Sequence, residues 1–107
     1  MSFKSFVTWT QTRQIKTLGC RRKVIISTSG SQVICENSNK KIYLITKSKF
    51  NQTLKQYNKL RGQGKHTSTS QYTDTHWKAC PDRVLCPYIA AAIAYVKKEH
   101  PCYKNES

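Results

Sequence analysis

Histidines, cysteines and a large excess of lysine and arginine are the residues of this 107-residue chain that could do chemistry. Metal-independent RNA cleavage needs two groups titrating near neutral pH and a cation to stabilise the phosphorane. His66, His76 and His100, with Lys65 or Lys78, supply those types. However, His66 falls in a Gly/Ser/Thr-rich stretch, His100 reads as a cation at a helix end, and no spacing matches the pancreatic-type ribonucleases. No residue is therefore singled out as catalytic. Zinc is the other option: His76, Cys80, Cys86 and His100 or Cys102 offer nitrogen and sulfur ligands. Their spacing is not a zinc pattern, and disulfides would use the same residues, so neither metal nor cofactor is expected.

The charge is the stronger signal. Nineteen Lys and Arg against five Asp and Glu give a formal +14, and the excess is uneven. Residues 1–65 hold fourteen bases and one acid, Glu36, whereas residues 66–107 hold five bases and four acids. A surface that basic repels itself and is relieved beside a polyanion. The candidate polyanion-binding residues are Arg21, Arg22, Lys23, Lys40, Lys41, Lys47, Lys49, Lys55, Lys59 and Arg61. Arginine offers bidentate contacts to sulfate or phosphate, and lysine offers a point charge. The expected partner is a glycosaminoglycan or another acidic surface, with a protein receptor as a further candidate. Nucleic acid is the alternative: Trp9, Tyr43, Phe50 and Tyr57 are interleaved with the basic residues and could stack bases. No RNP, KH, zinc-knuckle or helix-turn-helix signature accompanies them, and Phe50 and Tyr57 fit the buried face of a helix.

The length suits one domain with a modest core. Hydrophobic content is 37%, which is lean, but five cysteines and eleven aromatics argue for a folded, cross-linked chain. No apolar run approaches the ~20 residues of a membrane-spanning helix, and the N-terminus lacks the apolar stretch of a signal peptide. The chain is thus either cytosolic or a mature form without its leader. Cys20, Cys35, Cys80, Cys86 and Cys102 form no Cys-x-x-Cys pair and favour an extracellular, disulfide-bonded protein. Because five is odd, one thiol stays free or links a second chain into a dimer. Asn51-Gln52-Thr53 and Asn105-Glu106-Ser107 are glycosylation sequons.

These residues need elements to position them. Residues 1–19 read as an extended arm that packs its aromatics onto the rest, because β-branched residues weaken a helix there. Val24-Ile25-Ile26, a Ser/Thr/Gly turn around Ser29-Gly30, and Val33-Ile34-Cys35 predict a hairpin. Ile42–Thr46 predicts a third strand, the rival being a helix capped at Asn37 or Ser38. Phe50, Leu54, Tyr57 and Leu60 mark one face of a helix over 49–60. Residues 62–79 form a Ser/Thr-rich loop, mobile over its first part. Pro87 opens and Pro101 ends a helix over 87–100. The expected fold is α+β: a small three-stranded antiparallel sheet at about 23–46 and two helices, stapled by disulfides. Residues 1–61 form the basic sheet-helix half, and residues 80–107 form the cysteine-containing C-terminal half.

Geometry limits the staples. With the hairpin centred near Ser29-Gly30, Cys35 faces roughly Val24 and lies about 15 Å along the ribbon from Cys20, beyond the ~7 Å that a disulfide spans between Cα atoms. A helix separates Cys86 from Cys102 by ~20 Å. Cys20 and Cys35 should therefore each bond one of Cys80, Cys86 or Cys102.

Gly19-Cys20, Val24-Ile25-Ile26, Ser29-Gly30, Gln32-Val33-Ile34-Cys35, Asn37 and Lys40-Lys41, in that order, resemble the core of a chemokine. The resemblance implies a first strand at Gln14–Leu18 and a basic module that binds glycosaminoglycan. The adjacent N-terminal cysteines with which that family activates its receptor have no counterpart here, and Ile42 stands nearest to its helix tryptophan. The resemblance thus speaks for binding rather than for receptor agonism.

Overall fold

Helix formation starts earlier than expected. In the computed structural model, which describes residues 1–30 and 32–102, Phe3–Thr10 form helix α1 rather than an extended arm. Ser2 caps it: the Ser5 amide donates to the Ser2 hydroxyl, and the Ser2 amide donates to the Ser5 hydroxyl. The aromatics do pack inward. Phe6 lies 4.5 Å from Phe50 between ring centroids, and Phe3 lies 5.5 Å from the same ring. That buried face outweighs the weak helix propensity of Val7, Thr8 and Thr10.

Four strands follow: β1 Arg13–Lys16, β2 Lys23–Ser29, β3 Gln32–Glu36 and β4 Ile42–Ile45. They form an antiparallel meander in the order β1-β2-β3-β4. The expected three strands at 23–46 are present, and β1 pairs at their edge, overlapping the strand expected at Gln14–Leu18. Ser29 pairs with Gln32, so Cys35 faces Ile26 rather than Val24. Gly30 supplies the left-handed backbone (φ +64°) that the two-residue connection needs. The Asn37 side chain accepts from the amides of Asn39 and Lys41 and shapes the β3–β4 turn. No helix starts there. Val24, Ile26, Val33, Cys35 and Ile45 point into the core.

Helix α2 spans Lys47–Arg61, with Thr46 as its cap. It buries Phe50, Thr53, Tyr57 and Leu60; Leu54 is partly buried. The loop beyond it is anchored, not loose. A 3-10 helix at Thr69–Tyr72 buries the Tyr72 ring completely, and its hydroxyl donates to the His66 carbonyl at 2.6 Å.

Helix α3, Leu85–Val96, is the centre of the molecule. Ten of its twelve residues are buried, among them Ala90, Ala91, Ala92 and Ala94. It contacts α1, β1, β4, α2 and the 3-10 helix. It starts two residues before Pro87, which does not open it, and it ends at Val96 rather than at 100, because Lys98 turns left-handed (φ +58°) and closes the helix. His100 is thus no last-turn cation. Its ring is buried, and its Nε2 lies 2.8 Å from the Lys16 carbonyl.

Cys20 and Cys102 form a disulfide that joins the two halves, with Cα atoms 6.0 Å apart. Cys35, Cys80 and Cys86 carry free thiols, so the second expected staple, from Cys35, is not made. Cys35 is wholly buried under the sheet, and burial pushes its thiol up to about 12. It is placed to link neither to the C-terminal half nor to a second chain. The sequon at Asn105 lies outside the described residues.

Two predictions follow from this architecture. Ile89→Ala, at a fully buried α3 position, should cost about 2–5 kcal/mol in urea denaturation; a cost of a few tenths would contradict the central place of α3. Alkylation of the unfolded, unreduced chain should modify three cysteines (Cys35, Cys80 and Cys86). Labelling of one, or of all five, would overturn the pairing described.

Candidate polyanion surface

Turns and one helix face display the basic residues. In a meander, the β1–β2 and β3–β4 turns share one end of the sheet. That end carries Arg21, Arg22 and Lys23 from one turn and Lys40 and Lys41 from the other, all exposed. Within it, Lys23 pairs directly with Lys16 across β1 and β2. A like-charge cross-strand pair is destabilising on its own. Lys47 and Lys49 start α2, and Lys55, Lys59 and Arg61 follow along that helix.

Two of these ten bases have acidic partners. Lys49 pairs with Asp82 at 3.3 Å and Arg61 with Glu99 at 2.6 Å. The other eight have no ion pair among the described residues. Asp82 also accepts from the amides of Val84 (3.0 Å) and Leu85 (2.9 Å) and caps the start of α3. Burial pushes its carboxyl up, but those amides and Lys49 outweigh it and hold it below the ordinary value. Glu99 behaves likewise: burial raises it, and Arg61 and Tyr57 bring it down. Tyr57 is raised in turn, by burial and by its bond to Glu99.

Among the described residues, three clefts with basic residues in their walls indent this surface. The first, of about 500 Å³, brings Arg21 and Arg22 together with Arg83 and the side chains of Thr17, Thr69 and Thr73. The second, of about 560 Å³, sets Lys55 and Lys59 against half-buried Trp77, with Gln52 and Gln56 beside them. The third lies between Asn58, Arg61, His66 and Glu99. Lys23, Lys40, Lys41, Lys47 and Lys49 line none of the three. Arg83 and Trp77 were not foreseen. A single base in a near-neutral half, and one tryptophan in a polar loop, carry no pattern that singles them out.

No family model, curated protein or solved structure matches this chain. Its function must therefore be read from its own residues.

Of the groups weighed for catalysis and for zinc, Cys80 and Cys86 lie side by side, but no histidine joins them in a cluster of metal-ligand atoms among the described residues. Among the described residues, the one cluster with metal-ligand atoms close together is Cys20, His100 and Cys102, and its two sulfurs are bonded to each other. Both ring nitrogens of His100 are engaged, Nε2 at the Lys16 carbonyl and Nδ1 by the Cys102 amide. His76 places its Nδ1 on the Ser70 carbonyl at the surface, and His66 lies edge-on against Tyr57. Two of the four proposed stacking aromatics are wholly spent on packing. Phe50 and Tyr57 are wholly buried, and Trp9 and Tyr43 lie partly buried against the core. No helix among the described residues is long and apolar enough to cross a membrane.

The depressed Asp82 carboxyl makes a pH prediction. Its contribution is complete above the ordinary carboxylate range and is lost as pH falls through the lower folded value. The melting temperature should therefore drop as pH falls below about 5. Asp82→Asn should flatten part of that drop and cost about 0.2–1 kcal/mol at neutral pH, because the amide keeps the bonds to the backbone but loses the ion pair with Lys49. Parallel wild-type and variant pH profiles would refute the role given to Asp82.

Proposed function

We propose that this is a secreted basic protein that binds a polyanion, a glycosaminoglycan or comparable acidic surface, in cytokine-like signalling or host defence. The observation that carries this reading is the set of eight exposed bases without acidic partners among the described residues. Placing so many like charges on a domain of 12.5 Å radius of gyration costs electrostatic energy. A bound polyanion removes that cost and releases its own counterions. The Cys20–Cys102 disulfide supports an oxidising compartment. A disulfide-linked dimer would run through Cys80, the only partly exposed member of the three free thiols.

Single-stranded nucleic acid is the second reading, and Trp77 favours it. A base could stack on this ring while Lys55 and Lys59 hold phosphates.

Competition separates the two. The protein should elute from heparin only at elevated salt, and Lys40→Gln/Lys41→Gln/Lys55→Gln/Lys59→Gln should elute earlier. Heparin should displace a fluorescent oligonucleotide, while the unlabelled oligonucleotide at equal charge should fail to displace heparin. The reverse order would replace the polysaccharide reading with the nucleic-acid one.

A further inference from the structure

The cleft between the β1–β2 turn and the start of α3 holds three guanidinium groups and no carboxylate. Arg21 and Arg22 come from the turn and Arg83 from the segment before α3, more than half the chain away. None of the three is ion-paired among the described residues. Asp82, the chain neighbour of Arg83, is not available to neutralise it. One of its oxygens takes the Val84 and Leu85 amides, and the other takes Lys49.

Both sides of the cleft are held before any ligand arrives. On the turn side, the Thr17 amide donates to the Arg22 carbonyl at 2.9 Å and the Cys20 amide to the Thr17 carbonyl at 2.8 Å. The disulfide to Cys102 fixes the same turn. On the α3 side, Asp82 caps the helix and the Cys86 amide donates to the Asp82 carbonyl. These bonds fix the backbone that carries the three arginines, and a guanidinium offers a planar fork that matches a tetrahedral oxyanion bidentately. Thr17 and Thr69 add hydroxyl groups, and the Pro87 and Tyr88 side chains give the wall an apolar part. The volume, about 500 Å³, lies within the ~300–1,000 Å³ of small-ligand sites and exceeds what a bare ion needs.

We infer that this cleft is a discrete binding site for a sugar carrying a tetrahedral oxyanion ester. Arg21, Arg22 and Arg83 hold the sulfate or phosphate group, and Tyr88 and Pro87 pack against the ring. The inference rests on the polyanion reading and sharpens it: a diffuse field attracts the polymer, and this cleft seats one anionic group of it. Sulfate and phosphate esters share the chemistry described, so the source is decided by experiment.

Galactose 6-sulfate and galactose 6-phosphate are titrated separately at constant ionic strength, with neutral galactose as control, by calorimetry and by amide NMR shifts. At least one ester should bind at a single saturable site, shifting the amides of Thr17, Arg22, Thr69 and Arg83. The ester that binds more tightly names the source, sulfated or phosphorylated saccharide. Arg83→Gln should weaken ester binding roughly tenfold or more, and Lys4→Gln/Lys98→Gln, at exposed positions outside the clefts, should leave it unchanged. Arg83 is exposed, so an unchanged melting temperature verifies that the variant is folded; Arg21→Gln gives an independent second variant. Absence of saturable binding by both esters would overturn the site. So would equal losses in the Arg83 and Lys4/Lys98 variants, because a general field would then explain the binding. Heparin retention of the same proteins is read in parallel. Loss of retention with ester binding intact would sink the polyanion reading alone, and the converse would sink the cleft alone.

Discussion

The burial of α3 is the constraint on which the rest of the structure depends. A helix enclosed on nearly every side must be small enough for its neighbours to approach and must have no polar side chain to satisfy. Ala90, Ala91, Ala92 and Ala94 meet the first condition, and Ile89 and Ile93 fill the remaining space. The sheet, α1, α2 and the 3-10 helix are then arranged around one apolar rod. In the lean composition of this chain, such a segment is what makes a single core feasible. Its loss would leave the strands and helices of residues 1–61 with no common surface to cover.

That arrangement also explains where the charge goes. Much of the core is supplied by the near-neutral C-terminal half, so the basic half can spend its polar positions on the surface. Lys49 with Asp82 and Arg61 with Glu99 tie the basic helix α2 to the segments that flank α3. They are partly exposed pairs of modest strength, but each works with other bonds. Asp82 caps α3, and Glu99 accepts from Tyr57. The disulfide adds a covalent tie between the β1–β2 turn and the segment after α3. It closes a loop 82 residues in separation, and constraining the unfolded chain to that extent contributes about 4–5 kcal/mol. His100 seals the join between the Lys16 carbonyl and the Cys102 amide.

The same ties shape the clefts. Charges distributed over turns and a helix face produce a field that falls off within a Debye length. Selectivity needs groups held in register, and this is what the Asp82 cap and the Cys20–Cys102 turn provide on the two sides of the arginine cleft. The folded Ser/Thr-rich loop contributes to all three clefts, Thr69 and Thr73 in one, Trp77 in another and His66 in the third. Anchoring by the buried Tyr72 is therefore a condition for a defined surface as well as for stability.

Much of this was legible in the residue order. The hairpin, the third strand of the meander, α2 and α3 follow from local alternation, helical spacing, and turn and proline chemistry, all of which act over a few residues. The charge asymmetry and the need for a bridge from Cys20 to the C-terminal half are sequence properties too. Helix α1 was not legible, because its propensity is weak and Phe50 stabilises it from across the chain. Nor was the order in residues 66–80, where the deciding contact is one buried tyrosine in a polar segment. The choice of Cys102 for Cys20, the free state of Cys35 and the union of Arg83 with Arg21 and Arg22 depend on how α3 docks against β1. Local physics acts on neighbours in the chain and can be read from their order. Which distant residues meet is decided by packing around α3, where many side chains must fit at once.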